Sequence, residues 1–316
     1  MEMKPTRDGY GEGLLELGRT NPEVLVLDAD LSKSTRTDWF MKEYPERFFD
    51  IGISEQDMLG TAAGLALAGK IPFVTTYGVF VAGRAWDQIR TTIAYAELNV
   101  KIAGAHGGIS VGADGATHQA LEDIALMRVL PHMTVVVPCD SIETKKATIA
   151  LSKITGPGFL RFAREATPVF TNENDPFEIG KSITLKEGND LTVIACGPIV
   201  YEALQAADEL SKSGINTRVI NMHTIKPLDQ EAIIKAALET GAIVTAEEHQ
   251  VLGGLGGAVA EILVKNAPVP VEMVGIQDTF GESGTPEELA EKYGLTSKHI
   301  CEAARKALHR KNSHRS

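Results

Sequence analysis

Residues 100–119 of the chain read VKIAGAHGGISVGADGATHQ. The apolar run from Val100 to Ala105 predicts a buried strand, and four glycines, two histidines and an aspartate follow it within fourteen residues. Such a mixture cannot form a regular helix or strand, so we expect a structured loop of the kind that carries functional residues. Ligands of open α/β sheets bind beyond the carboxyl ends of the strands, which is where this loop begins.

Short apolar runs alternate with helical patterns along the rest of the chain. Runs that are apolar throughout and separated by helices are typical of parallel strands covered on both faces. We therefore predict an α/β protein of two domains, each a mostly parallel sheet covered by helices. In the first domain the predicted strands are 24–27, 73–76, 100–105 and 134–138, and the predicted helices lie within 51–69, 86–95, 118–127 and 142–154.

A change in composition separates the two domains. The segment 165–189 holds two prolines and several Asn and Asp residues, with little periodicity. We assign residues 1–165 to the first domain, 166–189 to a linker and 190–312 to the second domain. In the second domain the predicted strands are 191–196, 217–221, 242–247 and 269–275, and the predicted helices are 199–213, 229–239, 256–266 and 286–307.

Bulk properties argue against several classes of protein. The net charge of -11 argues against a nucleic-acid binder, and the one basic stretch, Arg305–Arg315, is a chain end. The low-charge run 71–83 is interrupted by Pro72 and is too short to cross a bilayer, so no membrane association is predicted. Three cysteines, far apart and without metal-ligand or redox spacing, indicate a reducing compartment and a cytoplasmic protein.

A carboxylate stands at the start of the most apolar predicted helix. Ser54, followed three residues later by Asp57, resembles an N-capping arrangement and places Glu55 in the first helical turn. Because the helix that follows is almost wholly apolar, we expect Glu55 to be buried. The alternative interpretation is that Glu55 merely complements the helix dipole.

Two aromatic residues follow the strand predicted at 73–76. Tyr77 and Phe80 stand three residues apart and are able to flank a flat ring, although packing in the core is the simpler interpretation. Gly78 and Gly83 favour the ring, because glycine allows a ligand to approach the backbone closely.

Histidines and arginines also stand at strand ends. His106 and His118 lack the short spacing and the partners of zinc motifs, so we predict no metal site. Arg161 and Arg164 end an apolar strand, where at least one of them is able to clamp a phosphate. The alternative is a structural ion pair with Glu165.

Together these segments resemble the C-terminal half of the transketolase family, from Arg7 to about Lys306. The stretches ISEQ at 53–56 and TYGVF at 76–80, then the loop 106–118, occur in the family's order. The resemblance implies a thiamine-diphosphate enzyme that reversibly moves a two-carbon ketol unit from a ketose phosphate to an aldose phosphate.

The resemblance also implies roles for individual residues. Glu55 would hydrogen-bond the aminopyrimidine ring of the cofactor and activate it. Asp114 would contact a substrate hydroxyl, and His118 would stabilise an oxygen of the transferred unit. The implied catalytic residues are Glu55, His106, Asp114 and His118; the implied cofactor-binding residues are Asp30, Ile53, Glu55, Tyr77 and Phe80; the implied substrate-binding residues are Arg7, Ser34, His106, Asp114 and Arg164.

One departure from the family is large. The family's diphosphate and metal site, a Gly-Asp-Gly followed by a later Asn, is absent from this sequence. The chain therefore looks like the C-terminal subunit of a split transketolase, whose separate N-terminal subunit holds the diphosphate and its Mg²⁺ or Ca²⁺. We expect an assembly of two of each chain, with contacts between copies of this chain.

Three other interpretations stay open. The enzyme that makes deoxyxylulose phosphate shares the Asp-Gly-Ala-Thr-His stretch at 114–118 but is expected to lack a histidine at the position of His106. The beta subunit of a 2-oxoacid dehydrogenase has this length and architecture but is not expected to carry the whole loop 106–118. A regulatory or scaffold protein that retained the fold is a third interpretation, against which the presence of Glu55, Asp114 and His118 argues.

Overall fold

The structure, a computed structural model, describes residues 1–313. The strands are β1 (Met3–Pro5), β2 (Val24–Asp28), β3 (Phe48–Asp50), β4 (Ile71–Tyr77), β5 (Lys101–Ala105), β6 (Thr134–Val136), β7 (Gly158–Arg161), β8 (Ala166–Pro168), β9 (Ile183–Lys186), β10 (Leu191–Ala195), β11 (Thr217–Asn221), β12 (Thr224–Lys226), β13 (Ile243–Gln250) and β14 (Val271–Ile276). The α-helices are α1 (Thr6–Thr20), α2 (Ser32–Thr35), α3 (Thr37–Glu43), α4 (Glu55–Leu67), α5 (Asp123–Arg128), α6 (Ser141–Lys153), α7 (Val200–Ser211), α8 (Gln230–Thr240), α9 (Leu255–Asn266), α10 (Pro286–Lys292) and α11 (Ser297–Ser313). Short 3-10 helices cover Pro45–Arg47 and Ile109–Asp114, and π-helical turns cover Phe80–Arg84 and Gln88–Ala94.

The first domain is built on a seven-stranded sheet in the order β12-β6-β7-β5-β4-β2-β3. Every neighbouring pair is parallel except β12 and β6. Val26 of β2 belongs to the core on the face covered by α1, and the next residue, Leu27, belongs to the core on the face covered by α4. Both faces are therefore buried, as the continuous apolar strands predict.

The second domain contains a five-stranded sheet in the order β14-β13-β10-β11-β9, parallel except where β9 joins β11. The predicted fold class is thus confirmed. Strand β12, from the second domain, pairs with β6 and extends the sheet of the first. The segment predicted as a linker contains β8, which pairs with β1, and β9. The exact domain boundaries stay a prediction.

Helix α1 was not predicted, because its glycines weaken the helical pattern. A Cβ at Gly9 would collide with the backbone of Ser141 in α6, and one at Gly13 would lie 2.7 Å from the Thr148 side chain of the same helix. The glycines therefore let α1 approach α6 closely, and tertiary packing outweighs low helix propensity.

Two other predicted helices differ from the structure. The helix predicted at 118–127 begins only at Asp123, because Ala120 is held extended by a bridge to Gly107. The helix predicted at 286–307 is divided into α10 and α11, with Gly294 at a φ of 75° between them. Within residues 1–313, none of the helices combines the length and apolar character needed to cross a membrane.

Candidate active site

The carboxyl ends of three neighbouring strands bring the candidate residues together. Asp28 at the end of β2 is in register with Thr75 of β4, and Tyr77 at the end of β4 is in register with Ala105 of β5. The loops that leave these strands therefore start side by side, at the edge where open α/β sheets bind ligands. His106 is the first residue after β5.

Glu55, Tyr77, Phe80 and Arg84 form what we call the ring corner. Glu55 is the first residue of α4 and is only 2% exposed, as the apolar helix predicted. Nη1 of Arg84 donates to Oε1 of Glu55 at 2.9 Å and to Oε2 at 3.1 Å. The guanidinium carbon of Arg84 lies 4.4 Å from the centre of the Phe80 ring. One guanidinium thus contacts both a buried carboxylate and an aromatic face.

Tyr77 connects the ring corner to the loop after β5. Its ring lies 5.8 Å from the Phe80 ring and stacks on the His106 ring at 4.1 Å, measured between centroids. The His118 ring meets Phe80 edge-on at 5.4 Å. Four of the predicted site residues therefore form one continuous group of rings.

The loop 106–120 is closed at its base by backbone hydrogen bonds. The N–H of Gly107 donates to the Phe162 carbonyl at 3.0 Å, and the N–H of Gly108 donates to the Ala120 carbonyl at 2.9 Å. Gly108 has a φ of 97°, and a Cβ there would collide with the Glu248 side chain. The backbone N–H of Ser110 donates to that same Glu248 carboxylate at 2.6 Å. The second domain therefore anchors the loop.

Arg7, Ser34, Arg36, His106 and Arg164 form what we call the anion corner. Nη1 of Arg7 donates to the Ser34 carbonyl at 2.9 Å. Two of the three arginines are paired with carboxylates at the rim: Arg36 donates to Asp8 at 2.6 Å, and Arg164 donates to Asp114 at 3.1 Å.

The anion corner is electropositive and incompletely hydrogen-bonded. Burial lowers the pKa of His106 to about 3, with further lowering by Arg7 and Arg164, so the imidazole is neutral near pH 7. Burial and the charge of Arg36 lower the pKa of Arg7. Within residues 1–313, Nε of Arg7 and Nδ1 of His106 are buried without a hydrogen-bond partner. These two atoms therefore give the anion corner hydrogen-bonding capacity that the protein itself does not use.

Asp30 and Ile53 lie in the loops that follow β2 and β3. The backbone N–H of Asp30 donates to Asp50 at 3.1 Å, and the Ile53 side chain is 75% exposed. The neighbouring Asp28 has a structural role, because its carboxylate accepts hydrogen bonds from Leu31, Thr35 and Thr37 and so shapes the loop that carries Ser34. Burial raises the pKa of Asp28 to about 6.

The two arginines near the end of β7 have different surroundings. Arg161 is buried, and it donates to Asp123 at 2.8 Å and to the Glu248 carbonyl at 2.9 Å. Arg164 is one third exposed and faces the loop 106–120 through Asp114. Arg161 is therefore not placed to clamp a phosphate. Arg164 also makes the ion pair with Glu165 that was the alternative interpretation, at 3.4 Å, and its role as a clamp stays a prediction.

Arg36 and Arg84 were not among the predicted site residues. Arg36 follows the predicted residue Ser34 by two positions, and this proximity in sequence could have identified it. Arg84 stands 29 residues from Glu55, and no local pattern reports their contact. Within the described residues, no group of three or more His, Cys, Asp or Glu side chains is arranged to hold a metal ion.

Both domains match known family models. Residues 2–169 match the pyrimidine binding domain of transketolase, and residues 180–300 match the transketolase C-terminal domain.

Individual relatives agree over almost their whole length. A Methanocaldococcus jannaschii protein, provisionally named a transketolase C-terminal section, is 48% identical and covers 94% of each chain. A 6-deoxy-6-sulfo-D-fructose transketolase subunit of a Clostridium species is 44% identical over 97% of this chain and 95% of its own. The solved structure of a split gene transketolase, described as an inactive beta4 tetramer, superimposes with a TM-score of 0.92 at 51% identity, over 98% of this chain and 99% of that one.

Proposed function

The chain belongs to the transketolase family as a C-terminal subunit of the split form, and we propose that its enzyme transfers a two-carbon ketol unit between sugar phosphates. The donor is a ketose phosphate and the acceptor is an aldose phosphate. The observation that carries this proposal is that the ring corner and the anion corner adjoin through the stacked Tyr77 and His106 rings, 4.1 Å apart.

Transketolases depend on thiamine diphosphate, and the ring corner suits its aminopyrimidine ring. A buried carboxylate, Glu55, and an aromatic face, Phe80, are joined here by one guanidinium that touches both. When bound, the cofactor supplies the carbanion chemistry that breaks and forms the carbon–carbon bond. In our proposal Glu55 hydrogen-bonds the ring, Phe80 and Tyr77 pack against it, and Asp30 and Ile53 lie at its edge.

The anion corner suits the phosphate of the sugar. Arg7, Ser34, His106 and Arg164 are the proposed contacts, with Arg36 contributing charge. The unpaired Nε of Arg7 is a donor of the kind that binds phosphate oxygens, and His106 is neutral and can donate from Nδ1 in the suitable tautomer. In our proposal Asp114, which pairs with Arg164, binds a sugar hydroxyl, and His118, which packs edge-on against Phe80, donates a hydrogen bond to an oxygen at the reacting carbons. Orientation by these groups lowers the entropic part of the barrier.

A second chain completes the enzyme in this proposal. The sequence lacks the Gly-Asp-Gly stretch with which the family holds the diphosphate and its Mg²⁺ or Ca²⁺. We assign those groups to an N-terminal subunit, in a cytoplasmic assembly of two of each chain. The solved relative described as an inactive beta4 tetramer supports the dependence on a partner.

The test is reconstitution from purified chains. This chain and its N-terminal partner are assayed singly and mixed, with thiamine diphosphate and Mg²⁺, using xylulose 5-phosphate and ribose 5-phosphate. We expect turnover only in the mixture. A mixture that binds both the cofactor and the sugars without turnover would contradict the proposal, and turnover of pyruvate in place of the ketose would support the deoxyxylulose or 2-oxoacid alternatives.

A sulfonated ketose is a second candidate donor. The Clostridium relative is named for 6-deoxy-6-sulfofructose, and a sulfonate presents three oxygens much as a phosphate does. The rim carboxylates Asp8 and Asp114 partly neutralise Arg36 and Arg164, which suits an anion of lower charge. Comparing kcat/KM for the sulfonated and phosphorylated ketoses with the same acceptor distinguishes the two.

A further inference from the structure

The contacts of Arg84 are unusual for a residue beside a catalytic carboxylate. A single nitrogen of its guanidinium donates to both oxygens of Glu55, at 2.9 and 3.1 Å, while the same group covers the Phe80 ring at 4.4 Å. Glu55 and Phe80 are the two residues that our proposed function assigns to the edge and the face of the aminopyrimidine ring. Arg84 therefore contacts both groups that the cofactor needs.

The side chain of Arg84 is free to leave this position. It is 50% exposed, whereas the Glu55 side chain is 2% exposed. At the preceding residue, Gly83, an added Cβ would meet no atom within 4 Å, so the neighbouring backbone is also open to solvent. The backbone is held in place, because Nε2 of Gln56 donates to the Arg84 carbonyl at 3.1 Å. The side chain can thus move while the backbone stays.

We propose that Arg84 is a latch that competes with the aminopyrimidine ring for Glu55 and Phe80, and that its side chain moves out into solvent when the ring binds. The inference rests on the proposed function. Its physical basis is exclusion: a ring that packs on Phe80 and hydrogen-bonds Glu55 requires the volume and the acceptor oxygens that the guanidinium occupies. The latch keeps the buried carboxylate paired in the meantime, since an unpaired buried charge is costly.

Removing the latch should make the cofactor bind more tightly. In the two-chain enzyme, Arg84→Gln should lower the Kd of thiamine diphosphate about fivefold, the equivalent of a ~1 kcal/mol ion pair that no longer has to be broken. Arg84→Lys, which keeps the charge, should stay close to the wild type. The measurement is calorimetric titration of the cofactor with Mg²⁺, supported by the association rate from stopped-flow tryptophan fluorescence, since Trp86 lies two residues away.

Arg90→Gln is the matched control, because Arg90 is an exposed arginine in the neighbouring π-helical turn. Loss of a positive charge near an anionic cofactor weakens binding at long range, so this control should show an unchanged or slightly higher Kd. An Arg84→Gln enzyme with unchanged or weaker binding would overturn the latch and leave the proposed function standing. A wild-type mixture that binds no thiamine diphosphate would remove the proposed function, and the latch with it.

Discussion

Two clusters of charged residues and histidines lie at or near strand ends in this chain, and they differ in how exposed their polar groups are. One is the candidate active site, beyond the ends of β2, β4, β5 and β7. The other, which we call the bonded cluster, consists of Asp123, Arg161, Glu247, Glu248 and His249. By composition the bonded cluster is as suggestive of chemistry as the site.

Each member of the bonded cluster is tied to other protein groups, mostly backbone. Glu247 is fully buried, and its two oxygens accept from the N–H groups of Leu255 and Gly256 at 2.7 and 2.8 Å. Those N–H groups open α9, so the protein's own carboxylate occupies the anion position of that helix. His249 accepts from the Ala125 N–H at 3.3 Å and donates to the Gln250 carbonyl at 2.7 Å.

The site has a more exposed arrangement. Nε of Arg7 and Nδ1 of His106 are buried and unpaired within residues 1–313, and Asp114 and Arg164 pair with each other at a partly exposed surface. The comparison teaches that burial and charge do not identify a functional cluster. Unpaired buried atoms alone do not identify one either, because Oδ1 of Asp123 in the bonded cluster is also unpaired within the described residues. The site differs in combining such atoms with an ion pair at a partly exposed surface, which a ligand is able to reach.

The largest expected effect is on turnover. Glu55→Gln should lower kcat of the two-chain enzyme about 10³-fold, since a positioned acid–base group contributes roughly 10²–10⁴-fold. The thermal midpoint should change little, because glutamine keeps the volume and one acceptor. Steady-state kinetics measures kcat, and thermal melting followed by circular dichroism measures the midpoint. Asp57→Asn, in the exposed part of the same helical turn, is the control. A well-folded, fully active Glu55→Gln enzyme would show that Glu55 is not needed for turnover, and the site would then have no functional difference from the bonded cluster.

Substitutions in the bonded cluster should lower the free energy of unfolding. Arg161→Ala leaves Asp123 buried without its cation, which costs about 3–5 kcal/mol of unfolding free energy. Urea denaturation of the full chain measures this loss. Arg164→Ala, three residues along, should cost less than about 1 kcal/mol because its ion pair is partly exposed. If both variants lost the same unfolding free energy, the difference in burial between Arg161 and Arg164 would not determine what each contributes to stability.

Glu247 should give the bonded cluster a pH dependence. Burial raises the pKa of Glu247 to about 7 from an ordinary 4.5, although hydrogen bonds from Gly256 and Leu255 lower it. The folded chain therefore holds an extra proton between pH 4.5 and 7, so this group reduces the unfolding free energy as pH rises through that window. A glutamine at this position does not titrate. The free energy of unfolding of Glu247→Gln should therefore fall below that of the wild type by a deficit that shrinks by on the order of 3 kcal/mol between pH 4.5 and 7.

Urea denaturation at pH 4.5 and pH 7.5 measures that deficit. Glu231→Gln, at a side chain that is 92% exposed, is the control and should show no such change. A deficit for Glu247→Gln that is constant with pH would contradict the raised pKa and would mean that the two N–H groups of α9 keep the carboxylate ionised throughout this range.

Much of the fold was predictable because parallel strands buried on both faces leave an unmistakable apolar run. Helix α1 was missed because the glycines that let it pack on α6 also remove its helical signal. The short strand β12 was missed because three residues carry no periodicity, and its pairing with β6 joins positions far apart in the chain.

The candidate site was also only partly predictable from sequence. Tyr77, Phe80 and the loop 106–118 were predicted as candidates because a predicted strand leads into them, and Glu55 because it opens an apolar helix; the structure brings these positions together. The contact of Arg84 with Glu55 spans 29 residues, and that of Arg36 with Asp8 spans 28. Such contacts depend on how helices and loops lie over the sheet, which local sequence does not specify. For the same reason the sequence did not distinguish Arg161 from Arg164.

The smallest expected effect separates those two arginines by function. Arg164→Ala should raise KM for a phosphorylated ketose about 30-fold, because hydrogen bonds to charged groups contribute roughly 1.5–3 kcal/mol. KM for an unphosphorylated ketose should change less than about threefold, since that substrate makes no contact with the anion corner. Both constants come from initial rates with the same acceptor, and Arg310→Ala, at an arginine that pairs with Glu272 in the second domain, is the control. If both ketoses lost affinity equally, Arg164 would act on the shape of the loop 106–120 through Asp114. The anion corner would then belong with the bonded cluster, and unpaired buried atoms would not have been a guide to the substrate.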